Sequence, residues 1–232
     1  MILLPVGSTE QHGPHAPLGT DTMIATCLAE DAARRTHVLC APPLSFGWSP
    51  HHLALPGSIS IRPGVLQSLL YDVIASLAQH GFKQFIVVNG HRITNLPWLQ
   101  LAAQQAQSEL AVSVLIFDPA YMQKEIASEL GFGPLGHAEE LEISQMMHLY
   151  PTLIDLSKAI DSTGHDRPLY QVDPRFGGDT LCYVPSTLQK MQAIASETGG
   201  STGKPTRSNA EAGKRLHEHL VNRLVEVVKQ TS

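Results

Sequence analysis

Four short apolar segments limit the folds that this chain can adopt. They are nearly continuous in apolar residues instead of alternating with polar ones, which is typical of strands covered on both faces. The predicted strands are residues 2–6, 37–42, 84–89 and 112–118. Segments of helical period lie between or after them and predict helices at residues 22–35, 64–80, 95–109 and 208–229. This alternation predicts an α/β fold in which a mainly parallel sheet is sandwiched between helices.

The chain is predicted to form one domain over residues 1–232. Residues 43–63, 161–186 and 198–206 are predicted to be irregular, but no shift in composition marks any of them as a linker. The formal net charge is −5 and no basic run is present. Nucleic acids and anionic membranes are therefore not expected as partners.

Cysteine usage and the first residues bear on the cellular compartment. Cys27, Cys40 and Cys182 are widely spaced and form no CxxC motif, which argues against a disulfide framework and against a cysteine-based zinc site. The opening residues have no basic region followed by a long apolar run, so neither a signal peptide nor a membrane span is predicted. A cytoplasmic location is the expectation.

Polar residues cluster where the predicted strands end. Glu10 and His12 follow the first strand, and residues two apart in an extended segment point the same way. Asp21 lies at the start of a predicted helix, and His91 follows the strand 84–89. Because parallel sheets bind ligands beyond the carboxyl ends of their strands, these side chains are expected to meet.

Two further segments carry groups suited to chemistry. "GHAEELEIS" places His137 just before a predicted helix that carries Glu139 and Glu142. "SPHHLALPGS" places His51 and His52 on a loop.

Structural interpretations stay open for each of these residues. A carboxylate at a helix start, such as Asp21 or Glu139, commonly caps the helix or interacts with its dipole. A histidine after a strand, such as His91, can be a hydrogen-bonded loop residue. What favours a site is the coincidence of several such residues at one edge of the sheet.

Glu10, His12, Asp21 and His91 form a set of nitrogen and oxygen donors. Such a set suits Zn²⁺, Mn²⁺ or Fe²⁺ better than a metal that prefers thiolates. Structural zinc sites normally use cysteines, so this set favours a catalytic site with an open coordination position.

Five segments of the chain resemble motifs of the creatininase (creatinine amidohydrolase) superfamily. They are "LPVGSTEQHGPHAPLGTD", "FGWSPHHLALPGSIS", "VVNGHRITN", "GHAEELEIS" and "GKPTRSNAEAGKRL", and they extend over nearly the whole chain. The resemblance implies a three-layer α/β/α sandwich and a homo-oligomer, usually a hexamer. It also implies one or two divalent metal ions that activate water to hydrolyse a C–N bond of a small cyclic amide.

Carried over by position, the resemblance assigns ligands and a proton carrier. Glu10 and His91 would hold one metal, His12 a second, and Asp21 would bridge the two. His137 matches the family histidine that acts as an acid or base beside the metals.

Three departures from the family pattern affect these expectations. A second glutamate ligand is expected two residues after His91, where this chain has Ile93. Glu142 or Glu139 could replace it, or the site could hold one metal. Gly133 stands where a substrate-covering tryptophan is expected, and the turn after His91 is one residue longer and includes Arg92. Creatinine itself is therefore not the expected substrate.

The leading prediction is a metal-dependent amidohydrolase that acts on a small polar molecule. Its catalytic residues would be His137 and Glu139, its substrate-binding residues His52, Arg92 and Ser49, and its metal ligands Glu10, His12, Asp21, His91 and Glu142. Two alternatives remain open. One is a hydrolase that opens the ring of a cyclic keto-sugar or keto-inositol, which Arg92 near a keto group would suit. The other is an inactive metal-binding oligomeric scaffold.

Overall fold

A four-stranded parallel sheet forms the centre of the molecule. The structure is a computed structural model that describes residues 1–92, 94–133, 135–162 and 187–231. The strands are β1 (Ile2–Val6), β2 (Leu39–Cys40), β3 (Gln84–Asn89) and β4 (Ser113–Phe117), in the order β2-β1-β3-β4. Every pair is parallel, with Ile2 opposite Phe85 and Gln84 opposite Ser113. The carboxyl ends of the strands therefore lie along one edge.

Seven α-helices lie in the described ranges. They are α1 (Thr20–Thr36), α2 (Pro63–Gln79), α3 (Leu96–Leu110), α4 (Pro119–Ala127), α5 (Glu140–Leu149), α6 (Leu188–Thr198) and α7 (Ala210–Thr231). None of the helices in the described ranges is both long enough and apolar enough to cross a membrane.

The two faces of the sheet bury two separate apolar cores. On one face, Leu3 and Ile86 pack with buried residues of α1, α5 and α7. On the other face, Leu4 and Val87 pack with buried residues of α2 and α3. Neighbouring strand residues thus point to opposite faces, and both faces are covered. The predicted three-layer α/β/α sandwich with a parallel sheet is confirmed.

The prediction of a strand over residues 37–42 was too long. His37 ends α1 in the left-handed conformation with φ 58°, so the strand cannot begin there. Within this segment only Leu39 and Cys40 pair with β1, and Leu44 forms an isolated bridge with Val6 beyond it. Pro42 and Pro43 follow, and proline has no N–H to extend a ladder.

Two helices were not predicted from periodicity. Helix α4 begins at an Asp118 N-cap, whose carboxylate accepts a hydrogen bond from the Ala120 N–H. Helix α6 begins at a Thr187 N-cap and ends at Gly199, which has a positive φ of 68°. Most of the predicted irregular segment 161–186, together with Cys182, lies outside the described residues, as does Ile93.

Helices α5 and α7 approach each other closely at Gly213. A Cβ atom at this position would overlap the carbonyl oxygen of Ser144 on α5. The contact holds α5, which carries Glu142, closely against α7.

We expect Gly213→Ala to destabilise the protein by about 1–3 kcal/mol, because the added methyl group must force the two helices apart. The control is Gly64→Ala in α2, where a Cβ would meet no atom within 4 Å. That change should be neutral or stabilise by up to about 1 kcal/mol, since alanine favours helix more than glycine does. Urea unfolding of both variants measures the difference, and equal midpoints would contradict the packing assigned to Gly213.

Candidate metal centre

The predicted ligands converge at the carboxyl ends of β1 and β3. Glu10 lies in the loop after β1, Asp21 in the first turn of α1, and His91 just beyond β3. Gly90 makes the approach possible, since a Cβ there would overlap the Asp21 carbonyl oxygen. All three predicted ligand side chains are at least 95% buried, with exposures of 0%, 2% and 5% for Glu10, Asp21 and His91.

One donor group consists of Glu10, Asp21 and His91. Nδ1 of His91 lies 3.2 Å from Glu10 Oε1 and 3.0 Å from Asp21 Oδ2. Three atoms that suit one cation therefore face a common point.

Ser49 determines which nitrogen of His91 faces that point. The Ser49 hydroxyl donates its single proton to Glu10 Oε2 at 2.5 Å. It can then only accept from Nε2 of His91, which lies 3.3 Å away. In the neutral ring, Nε2 of His91 thus carries the proton, and Nδ1 holds the lone pair that faces the carboxylates. Ser49 is fully buried against these ligands, and its predicted contact with substrate stays a prediction.

A second donor group consists of His12, Asp21 and Glu142. Nε2 of His12 lies 3.3 Å from Asp21 Oδ1 and 3.4 Å from Glu142 Oε2. The other ring nitrogen, Nδ1, donates to the Glu10 backbone carbonyl at 3.1 Å, so Nε2 holds a lone pair. Asp21 contributes one oxygen to each group and thus joins them.

Several of these atoms lack hydrogen bonds. Glu10 Oε1, Asp21 Oδ2 and His12 Nε2 are buried without a hydrogen-bond partner among the described residues. Leaving such groups unsatisfied costs about 1–3 kcal/mol each, and more when they are charged. Divalent cations bound by imidazole nitrogen and carboxylate oxygen would satisfy all three atoms, so the residues present fit the metal that was predicted.

The carboxylates dominate the electrostatics of the two imidazoles. Burial lowers the pKa of His91, but Glu10 and Asp21 more than reverse this and raise it to about 10. Burial also lowers the pKa of His12, and Glu142 and Asp21 raise it well above its usual range. These nitrogens therefore attract a positive charge strongly, and a proton and a metal ion compete for the same lone pairs.

His137 is the most exposed histidine of the cluster, with a side-chain exposure of 17%. Its Nε2–H donates to the Gln11 backbone carbonyl at 2.6 Å, so Nδ1 carries the lone pair and lies 3.7 Å from Glu10 Oε1. Burial and the nearby His12 lower the pKa of His137 to about 4. The ring is thus neutral at pH 7 and can accept a proton. It also forms a third possible donor group with Glu10 and His12.

His52 lies between Glu10 and His137. Gln11 Nε2 donates to His52 Nδ1 at 2.9 Å, so the proton is on Nε2, which lies 3.2 Å from Glu10 Oε1. The ring centroids of His52 and His137 are 4.1 Å apart. The predicted substrate-binding histidine therefore lies beside the predicted proton carrier.

Glu139 and Arg92 contact each other beside the predicted ligand Glu142. Glu139 caps α5 by accepting a hydrogen bond from the Leu141 N–H, and it pairs with Arg92 at 3.1 Å. It belongs to none of the possible donor groups found among the described residues. Arg92 also pairs with Glu142 at 2.8 Å. The structural interpretation of Glu139 as a helix cap thus describes its backbone contact, and its catalytic role stays a prediction.

Gln11 was not singled out from the sequence. Its side chain donates to His52 Nδ1 and to the Gly200 carbonyl at 3.2 Å, and it accepts from the Gly13 N–H at 3.0 Å. The only sequence signal for it is its position between Glu10 and His12.

Comparison with known proteins gives a family match along nearly the whole chain. The creatininase family, described as creatinine amidohydrolase, matches residues 1–228. A 3-dehydro-scyllo-inosose hydrolase of Thermotoga maritima is 28% identical over 99% of this chain and 76% of its own. A mycofactocin precursor peptide peptidase of Mycobacterium ulcerans is 30% identical over 95% of this chain and 81% of its own.

Solved structures give the same result. A creatininase variant of the Zn-Zn type superposes with a TM-score of 0.81 and 25% identity, over all of this chain and 90% of that one. With the match over residues 1–228, these findings show that the chain belongs to the creatininase family of hydrolases.

Proposed function

We propose that this protein is a metal-dependent hydrolase that cleaves a C–N bond of a small polar molecule. Glu10, Asp21 and His91 would hold one divalent cation, and His12, Asp21 and Glu142 a second. The observation that carries the proposal is the convergence of buried lone pairs on two points that share Asp21.

The residues around the cations suit hydrolysis. A bound divalent cation lowers the pKa of a coordinated water from about 16 to about 7 and polarises a substrate carbonyl. Neutral His137 presents Nδ1 toward the ligands, where it can take a proton from water and deliver it to the leaving nitrogen. His52, held by Gln11, would contact the substrate beside it.

Zn²⁺, Mn²⁺ and Fe²⁺ all suit the donor set. Zinc has the additional support that the superposed creatininase variant is of the Zn-Zn type.

A second candidate is hydrolytic opening of a cyclic keto-sugar or keto-inositol ring. It is favoured by the 28% identity to the 3-dehydro-scyllo-inosose hydrolase. A panel of cyclic amides, cyclic inositol ketones and short peptides, assayed with Zn²⁺- and Mn²⁺-loaded protein, separates the candidates. Turnover of cyclic amides alone supports the proposal, and turnover of the ketones alone supports the second candidate. Peptide cleavage would instead align this chain with its mycobacterial relative.

We expect His91→Ala to remove bound metal and activity together, because it deletes one of three donors at a buried site. The control is His80→Ala, an exposed histidine at the end of α2. Elemental analysis of both purified proteins gives the metal content. Full metal content or full activity in His91→Ala would contradict the proposal.

His137→Ala should lower kcat by about 10²–10⁴-fold while the metal content stays the same, because a proton carrier is lost and the ligands remain. The measurement pairs elemental analysis with steady-state kinetics on whichever substrate the panel identifies. Loss of one metal ion per chain from this variant would show that His137 is a ligand and contradict its assigned role.

Metal should stabilise the protein more as pH rises from about 6.5 to 8.5. The folded-state pKa of His91 is raised to about 10, so its protonated form stabilises the metal-free fold fully below pH 6.5, and this stabilisation is lost as pH rises toward 10. A metal ion meets less competition from protons over the same range. The difference in Tm between metal-loaded and metal-free protein, measured at several pH values between about 6.5 and 8.5, should therefore widen as the pH rises. A constant or narrowing difference would contradict these protonation states.

A further inference from the structure

Arg92 is committed to partners within the protein. Its side chain is 8% exposed. Nη1 donates to Gln123 Oε1 at 3.0 Å and to Glu139 Oε1 at 3.1 Å, while Nη2 contacts the Gly136 carbonyl at 3.2 Å and Glu142 Oε1 at 2.8 Å. Three of these contacts are hydrogen bonds and the fourth is an ion pair, so both terminal nitrogens of the guanidinium have partners. The planar edge that would bind a substrate carboxylate or carbonyl is therefore already in use.

These contacts fix the two oxygens of Glu142 in different directions. Oε1 faces Arg92, and Oε2 accepts a hydrogen bond from the Ala138 N–H at 2.9 Å. Oε2 is also the oxygen that lies 3.4 Å from His12 Nε2. Because a carboxylate oxygen can accept more than one bond, Oε2 keeps a lone pair directed toward His12 and Asp21.

Arg92 does not itself interact with His12 Nε2. Within the described residues, His12 Nε2 has no hydrogen-bond partner although it faces two carboxylates. Among the described residues, the guanidinium contacts Gln123, Glu139, Gly136 and Oε1 of Glu142, whereas His12 faces the other oxygen, Oε2. The position between His12, Asp21 and Glu142 is therefore left for a proton or a metal ion.

We propose that Arg92 is a positioning residue that holds Glu142 as the carboxylate ligand of the cation bound by His12 and Asp21. Arg92 satisfies Oε1, offsets the charge of Glu139 and Glu142, and leaves only Oε2 to face the metal. Hydrogen-bonded partners of ligands commonly change metal affinity by about 10–100-fold. This inference rests on the proposed function, since it requires that metal ions bind at all.

The test is a titration of metal-free protein with Mn²⁺, followed by electron paramagnetic resonance. Wild type should bind two ions per chain and give the spectrum of a coupled pair. Arg92→Met should weaken the second ion by at least about 10-fold, leave the first unchanged and give the spectrum of an isolated ion. Arg92→Lys keeps the positive charge but loses the planar guanidinium with its paired N–H donors. It should therefore recover part of the lost affinity for the second ion. The matched control Arg35→Met removes an arginine from an exposed pair with Glu218 and should bind as wild type does.

The outcomes separate this inference from the proposed function. Binding of two ions by Arg92→Met with wild-type affinity would overturn the role of Arg92 and leave the proposed function standing. So would binding of a single ion by wild type, or the gain of a second ion on removal of Arg92. If wild type binds no Mn²⁺ and no Zn²⁺, both fail. Should Arg92→Met not fold, Arg92→Met/Glu139→Gln removes one positive and one negative charge together and carries the same expectation.

Discussion

The sharing of Asp21 between two imidazoles is the interaction on which the candidate centre depends. One carboxylate oxygen faces His91 and the other faces His12, and all three side chains are buried. The other ring nitrogen of each imidazole donates elsewhere, so the nitrogen that faces Asp21 either takes up a second proton or presents a lone pair to the carboxylate. Buried lone pairs directed at one another are unfavourable, and divalent cations between them resolve the conflict.

The fold brings these groups together because they lie in helices or in the segments that follow neighbouring strands. Strands β1 and β3 are neighbours in register, so the residues that follow them emerge side by side at the carboxyl edge. Gly90 lets the end of β3 approach the first turn of α1, and Gly213 lets α7 approach α5. The sheet therefore supplies Glu10 and His91 directly, while two packed helices supply Asp21 and Glu142.

The predictable parts of the structure are those that depend on local pattern. Strands β1 and β3 have the predicted bounds because both are continuous apolar runs. The convergence of Glu10, His12, Asp21 and His91 follows from parallel topology. The partners of Arg92 and Ser49 could not be read from the sequence, because they lie 31 to 50 residues away along the chain. Ser49 bonds to metal-ligand candidates, and Arg92 to carboxylates, through contacts that only tertiary packing specifies.

Anomalous diffraction from crystals of the zinc-loaded protein, recorded at the zinc edge, tests the central claim most directly. The account predicts two peaks, one on each side of Asp21, about 3.5–4 Å apart. One peak would be bonded to His91 Nδ1 and the other to His12 Nε2. If the crystallised protein contains bound zinc but no anomalous peak lies in contact with Asp21, the account is contradicted.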